Sequence, residues 1–253
     1  MIQMKMVKKV AVTLMFFVFT LSVTAQESVL LRYNYKKGDK YQMTMVMKQN
    51  MGIMGGMNIS MNSEVNVLSN GDNKFELSTQ AKRVQMNMAQ GGQEVNFDSE
   101  DKEEDLDAEG KKMKAQFDEV LKTTAYHTFS DQGKLISMKT VPEIPNNIAN
   151  NKDVIGYTIF PKEAVKVGST WKQDLSLEGM KLGLTYKVKE ITKTHVIADV
   201  SGNLELMGVK ASLTGFSNFN RESGNTDEMN LNSSIEMQGM KITMTANVKI
   251  AKQ

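Results

Sequence analysis

The sequence predicts an all-β protein in which long antiparallel strands form a curved sheet or half-barrel, accompanied by one short amphipathic helix. The main observation is the alternation of apolar and polar residues over stretches of about ten residues, which is typical of strands with one buried and one solvated face. Turn-forming pairs such as Asn-Gly, Gly-Gly and Gly-Asn separate these stretches. We expect about ten to thirteen strands.

The alternation is clearest over residues 41–47, 58–67, 180–189 and 240–250. At about 3.3 Å per residue, a strand of ten or eleven residues is near 35 Å long, and it is well beyond the usual five or six residues. Long strands with one apolar face are typical of a curved sheet or half-barrel that wraps around whatever its apolar face covers.

A single helix is predicted near residues 109–122. Met113, Phe117 and Leu121 recur there at helical spacing, and the acidic stretch 98–107 precedes them, which favours a helix N-terminus. The acidic stretch has an alternative interpretation as a calcium site, but it lacks the ligand spacing of an EF-hand loop.

Residues 1–25 are predicted to be a secretory signal peptide. Three lysines precede an apolar run over residues 10–23, and small residues end it at Ala25, after which cleavage is expected. An uncleaved anchor is the alternative, although the run is shorter than a spanning helix needs. We therefore expect an exported protein of the periplasm or extracellular space that is not an integral membrane protein. Removal of the leader leaves 28 basic against 29 acidic residues, so no nucleic-acid partner is expected.

The remaining chain is predicted to contain a first β half over residues 26–140, a connecting segment over 141–165 and a second β half over 166–253. All three prolines lie between residues 140 and 162, where the alternation stops. Similar turn-then-strand sequences begin the halves at Lys37–Tyr41 and Val167–Trp171. Two related β halves would follow from such a repeat.

The composition argues against most catalytic chemistry. The chain has no cysteine and only two histidines, which excludes thiol nucleophiles, iron–sulfur clusters and attachment of lipid to cysteine. His127 and His195 lie in strand-like sequence without a nucleophile or zinc motif, and we expect edge or surface histidines there. The sequence thus predicts no enzyme, no cofactor and no metal site.

The 21 methionines are the most unusual feature. Many fall on the apolar positions of predicted strands, where unbranched thioethers make adaptable apolar surfaces. Copper binding by the Met51–Met57 loop is the alternative, because thioethers also prefer Cu(I). The candidate ligand contacts are Met43, Met45, Met47, Met86, Met88 and Trp171.

Several short motifs extend across the chain: Lys36–Tyr41, Phe117–Leu121, Ser130–Leu135 and Val167–Trp171. On these motifs, the sequence resembles an uncharacterised family of exported β-rich proteins of Bacteroidota over residues 28–250. The resemblance implies no activity and no catalytic residues. In architecture the predicted fold is also similar to the lipoprotein-carrier half-barrel, which holds acyl chains.

These observations predict a non-enzymatic binding or carrier module whose partner is a lipid or another apolar small ligand. This prediction rests on the apolar face of the predicted strands, which consists of Met, Leu, Ile and Val and contains few large aromatic residues. The alternative is a structural protein of the envelope whose polar strand faces bind another protein or a glycan.

Overall fold

A computed structural model describes residues 27–143, 157–177, 180–206, 209–237 and 240–253, and these contain fourteen strands and one α-helix, α1 (Ala108–Lys122). The predicted leader lies outside the described residues, as do residues 144–156 of the predicted connecting segment. The strands are β1 (Ser28–Val29), β2 (Lys40–Asn50), β3 (Gly55–Gly71), β4 (Lys74–Gln90), β5 (Gln93–Asp98), β6 (Thr124–Ser130), β7 (Leu135–Val141), β8 (Val165–Lys166), β9 (Thr170–Leu177), β10 (Met180–Ile191), β11 (His195–Leu206), β12 (Val209–Asn220), β13 (Thr226–Met237) and β14 (Met240–Lys252).

Twelve strands form one open, curved antiparallel sheet. Its order is β7-β6-β4-β3-β2-β14-β13-β12-β11-β10-β9, and β5 pairs with β4 at the side of this path. The predicted all-β fold with one helix is confirmed. Strands β1 and β8 form a separate two-residue pair, too short to be visible as a periodic pattern.

The two halves of the chain meet where β2 pairs with β14, so the described strands of both halves belong to one sheet. Each half begins with the same turn. Gly38 has φ 89° and donates its N–H to the Val67 carbonyl at 2.9 Å, and Gly168 has φ 87° and donates to the Val188 carbonyl at 2.8 Å. Positive φ favours glycine at both positions. The repeated sequence therefore corresponds to a repeated local structure.

One face of the sheet, which we call the inner face, carries the hydrophobic core. Phe75 and Phe129 stack with ring centroids 5.3 Å apart, and Trp171 stacks on Tyr186 at 4.9 Å. The segment before β2 contributes Tyr33 and Tyr35 to the same cluster. The large aromatic side chains of this aromatic core are Tyr33, Tyr35, Tyr41, Phe75, Phe129, Phe160, Trp171, Tyr186 and Phe219.

Helix α1 also packs on the inner face, over β4 and β5. Asp107 caps its N-terminus by accepting a hydrogen bond from the Gly110 N–H at 2.7 Å. Phe117 stacks on Phe97 with centroids 5.5 Å apart, and Phe97 pairs with Met86 of the inner face. The predicted helix near 109–122 thus matches Ala108–Lys122, and it covers one side of the inner face.

Candidate functional site

Five of the six candidate residues lie on the inner face of β2 and β4, the strands on either side of β3. Antiparallel register places Met45 opposite Met61, and it places Met47 opposite Ile59, which is in turn opposite Met86. Because neighbouring strands are about 4.8 Å apart, the row from Met47 to Met86 spans about 10 Å. We call this patch the methionine face; its members are Met43, Met45, Met47, Met57, Ile59, Met61, Met86 and Met88.

The methionine face is only partly covered by the rest of the described chain. Met47 is 40% exposed although it lies in the middle of β2, and the other members are partly buried. Residues at comparable positions in the second half, such as Leu184 and Tyr186, are buried. Met47 therefore leaves part of this apolar surface open to solvent in the middle of the sheet.

Trp171 is not part of this patch. It lies on β9, six strands away from Met47 along the sheet, where it is buried against Tyr186. The structure therefore separates it from the five candidate methionines. The alternation in the sequence places both Trp171 and Met47 at apolar positions of their strands. It does not show how far apart those two strands lie in the sheet.

The methionine face continues onto β14 and β13 through small residues. Ala246 lies opposite Met47 on one side and Leu231 on the other, and the next pair along is Met244 with Ser233. Ser233 is buried, and its hydroxyl has no hydrogen-bond partner among the described residues. These positions extend the apolar floor beyond the residues that the sequence indicated.

Charge is confined to the outer face of the same strands. Lys48, Asn58 and Asn87 are opposite one another in register and are all exposed. From Met43 to Met57 the methionine face contains no ionisable side chain. It is therefore suited to uncharged apolar groups and offers no anchor for an ion.

The two histidines have structural surroundings. His127 is buried on the interior strand β6, so the expectation of an edge or surface position was wrong for it, and burial lowers its pKa to about 4. Its ring stacks on Phe129 with centroids 5.7 Å apart. The Nε2 of His195 lies 3.0 Å from the Oδ2 of Asp227, while its Nδ1 lies 2.9 Å from the hydroxyl of Thr194. These contacts tie the β10–β11 turn to β13.

A polar cleft of about 420 Å³ lies beyond the Met43 end of the methionine face, beside Asp39, Tyr41 and Lys252. The Lys252 ammonium is 2.8 Å from Asp39 and lowers the pKa of that carboxyl. Burial raises the pKa of Tyr41 to about 12, and the charge of Asp39 acts in the same direction. Lys252 thus pairs with Asp39 and Lys36 pairs with Glu222, while Asp227 adds a third carboxylate to the cleft.

Within the described ranges, His, Cys, Asp and Glu side chains form no group of three that could hold a metal ion. No helix among the same residues combines the length and apolar character that membrane crossing requires. The Met51–Met57 loop forms a short 3-10 turn at Gly52–Met54 between β2 and β3.

No protein-family model and no curated protein matches the chain. Among solved structures, an outer membrane channel from Pseudomonas putida F1 is similar with a TM-score of 0.24 and 5% identity, over 87% of this chain and 97% of that one. A structure of engineered proteins with asymmetric conductivity gives a TM-score of 0.19 and 7% identity, over 84% and 99%.

Proposed function

We propose that the chain is an exported, non-enzymatic binding or carrier protein for an apolar or amphipathic ligand of the cell envelope. The ligand lies on the methionine face. The observation that carries the proposal is the half-open methionine face, on which Met47 is 40% exposed and Met86 is only partly buried.

The physical reason is the cost of exposed apolar surface. A contiguous apolar patch is stabilised when it is covered, at about 25 cal/mol for each Å² removed from water. Methionine side chains are unbranched and flexible, so a surface made of them adapts to ligands of different shape. A lipid acyl chain is the ligand class that this chemistry fits best.

Titration with the apolar fluorescent probe N-phenyl-1-naphthylamine tests the proposal. The double variant M47Q/M86Q keeps side-chain length but makes the row polar, and we expect it to weaken probe binding about tenfold. Leu68 provides the matched control, because it is 39% exposed on β3 and lies outside the methionine face. The L68Q variant is expected to bind the probe as the wild type does.

The outer face favours a second candidate function, binding of a glycan or protein. One cross-strand row carries almost only amides and hydroxyls, and a groove of about 350 Å³ lies at its β3–β5 end. Crosslinking followed by identification of the captured partner tests this candidate. The row consists of Asn96, Asn87, Asn58, Lys48, Thr245, Asn232, Thr214, Ser201 and Thr185.

A further inference from the structure

Two of the methionines whose side chains the structure describes are exposed to solvent. Met47 is 40% exposed in the middle of β2, and Met54 is 39% exposed in the β2–β3 turn. Met113 and Met229 are 6% and 8% exposed, and the remaining described methionine side chains are partly buried. An oxidant dissolved in water reaches an exposed thioether more readily than a covered one, so Met47 and Met54 are the expected targets of oxidation.

The exposure of Met47 has a cause in the neighbouring strand β14. Side chains directly opposite each other in an antiparallel pair have Cβ atoms about 5 Å apart, so each covers part of the other. The β14 side chains that face the methionines of β2 become smaller along the pair; Met43 faces Ile250, Met45 faces Val248 and Met47 faces Ala246. Ala246 has only a methyl group, which leaves that side of the Met47 thioether open to water.

Oxidation of Met47 changes the chemistry of the methionine face. Hydrogen peroxide transfers one oxygen atom to the thioether sulfur: the O–O bond breaks, an S–O bond forms, and the second oxygen leaves as water. The sulfur loses two electrons and the peroxide gains them. The methionine sulfoxide that results is polar, and a polar group in contact with an apolar ligand costs free energy unless it is hydrogen-bonded.

Met54 provides an internal comparison for Met47. The two side chains are almost equally exposed, but Met54 ends the 3-10 turn Gly52–Met54 and lies outside the methionine face. Oxidation of Met54 therefore adds a polar group where no ligand is expected to lie. The pair separates the reactivity of an exposed thioether from the effect of its oxidation on ligand binding.

We propose that Met47 is a modification site, at which hydrogen peroxide forms methionine sulfoxide and thereby weakens ligand binding by the methionine face. The effect on binding rests on the proposed function, whereas the selectivity of the oxidation rests only on the exposure of the thioethers. The modification is reversible. Methionine sulfoxide reductases return both sulfoxide epimers to the thioether, the oxygen leaving as water while a dithiol reductant becomes a disulfide.

Peptide mapping by mass spectrometry, after treatment of the full chain with dilute hydrogen peroxide, tests the selectivity. We expect Met47 and Met54 to be oxidised at rates within about threefold of each other, and Met113 and Met229 at least about tenfold more slowly. The A246V variant adds cover beside Met47 and should slow its oxidation at least about threefold, with Met54 unaffected. Oxidation of Met113 as fast as that of Met47, or an A246V variant without effect on Met47, would overturn the assignment.

Titration with N-phenyl-1-naphthylamine before and after peroxide treatment tests the effect on binding. We expect treatment to weaken probe binding about tenfold in the wild type and in M54L, to leave it unchanged in M47L, and the two reductases to restore it. An equal loss in M47L would overturn the role of Met47. Oxidation of Met47 with undiminished probe binding would overturn the effect and leave the proposed function standing. Failure of the untreated wild type to bind the probe would contradict the proposed function itself, while the peptide map decides the selectivity of oxidation separately.

Discussion

Protonation of His127 is expected to control the stability of the fold in mild acid. The residue lies on β6, where it pairs with Leu77 of β4 and Met138 of β7. It is 7% exposed, and its Nδ1 has no hydrogen-bond partner among the described residues. Burial without a compensating partner disfavours the charged imidazolium, which is why the pKa falls to about 4.

The magnitude follows from the difference between the folded and unfolded pKa. The unfolded chain titrates at about 6.5, and about 1.36 kcal/mol corresponds to each pKa unit, so the folded pKa of about 4 gives about 3 kcal/mol. Above pH 6.5 the imidazole is neutral in both states and this stability is fully present. As the pH falls from 6.5 to 4, only the unfolded chain takes up the proton, and the free energy of unfolding decreases.

Urea unfolding followed by circular dichroism at pH 7, 5.5 and 4 measures this effect. The wild type is expected to lose about 3 kcal/mol between the first and last pH, whereas H127L should lose much less over the same interval. If H127L and the wild type showed the same decrease, the buried histidine would not be the cause and the reasoning would be refuted.

Two further substitutions test the packing of the inner face. G215A should lower the free energy of unfolding by about 2 kcal/mol, because the added methyl group would collide with the Asn230 carbonyl oxygen; G71A, with open space around it, should change it by less than about 0.5 kcal/mol. S233A should raise it by about 1 kcal/mol by removing a buried unpaired hydroxyl, while S234A on the exposed outer face should leave it unchanged. Chemical denaturation measures both effects, and a stabilising G215A or a destabilising S233A would contradict the described packing.

Local sequence patterns predict the elements of this fold well. The alternation over residues 240–250 follows the buried positions Ile242, Val248 and Ile250 of β14. The spacing of Met113 and Phe117 identifies the helix, because both must lie on its packed side. Such patterns depend only on which side of a strand or helix faces away from water. They can therefore be recognised in the sequence without knowing which other element packs against that side.

Long-range pairing could not be predicted in the same way. Nothing in β2 or β14 alone indicates that they are neighbours, because alternation fixes the face of a strand but not its partner. The burial of His127 and the separation of Trp171 from the methionines both depend on this strand order. The lengths of β3 and β4, 17 residues each, also exceed the expected ten or eleven, because bulges between Asn62 and Ser63 and near Leu68 keep the strands paired through irregular positions.

The place of the β2–β3 turn in the sheet shows the same limit. The Met51–Met57 loop is visible in the sequence as a methionine-rich turn, but its alignment with three other hairpin ends appears only once strand directions are known. The signal available beforehand is that apolar residues flank glycine in each of these turns, as in Met237-Gln-Gly-Met240.

Binding of N-phenyl-1-naphthylamine to the wild type and to M47Q/M86Q tests the central claim most directly. If the methionine face holds an apolar ligand, the wild type should bind about one probe molecule per chain, and the double variant should bind it about tenfold more weakly with unchanged circular dichroism. A wild type that leaves the probe fluorescence unchanged, or a double variant with undiminished affinity, would contradict it.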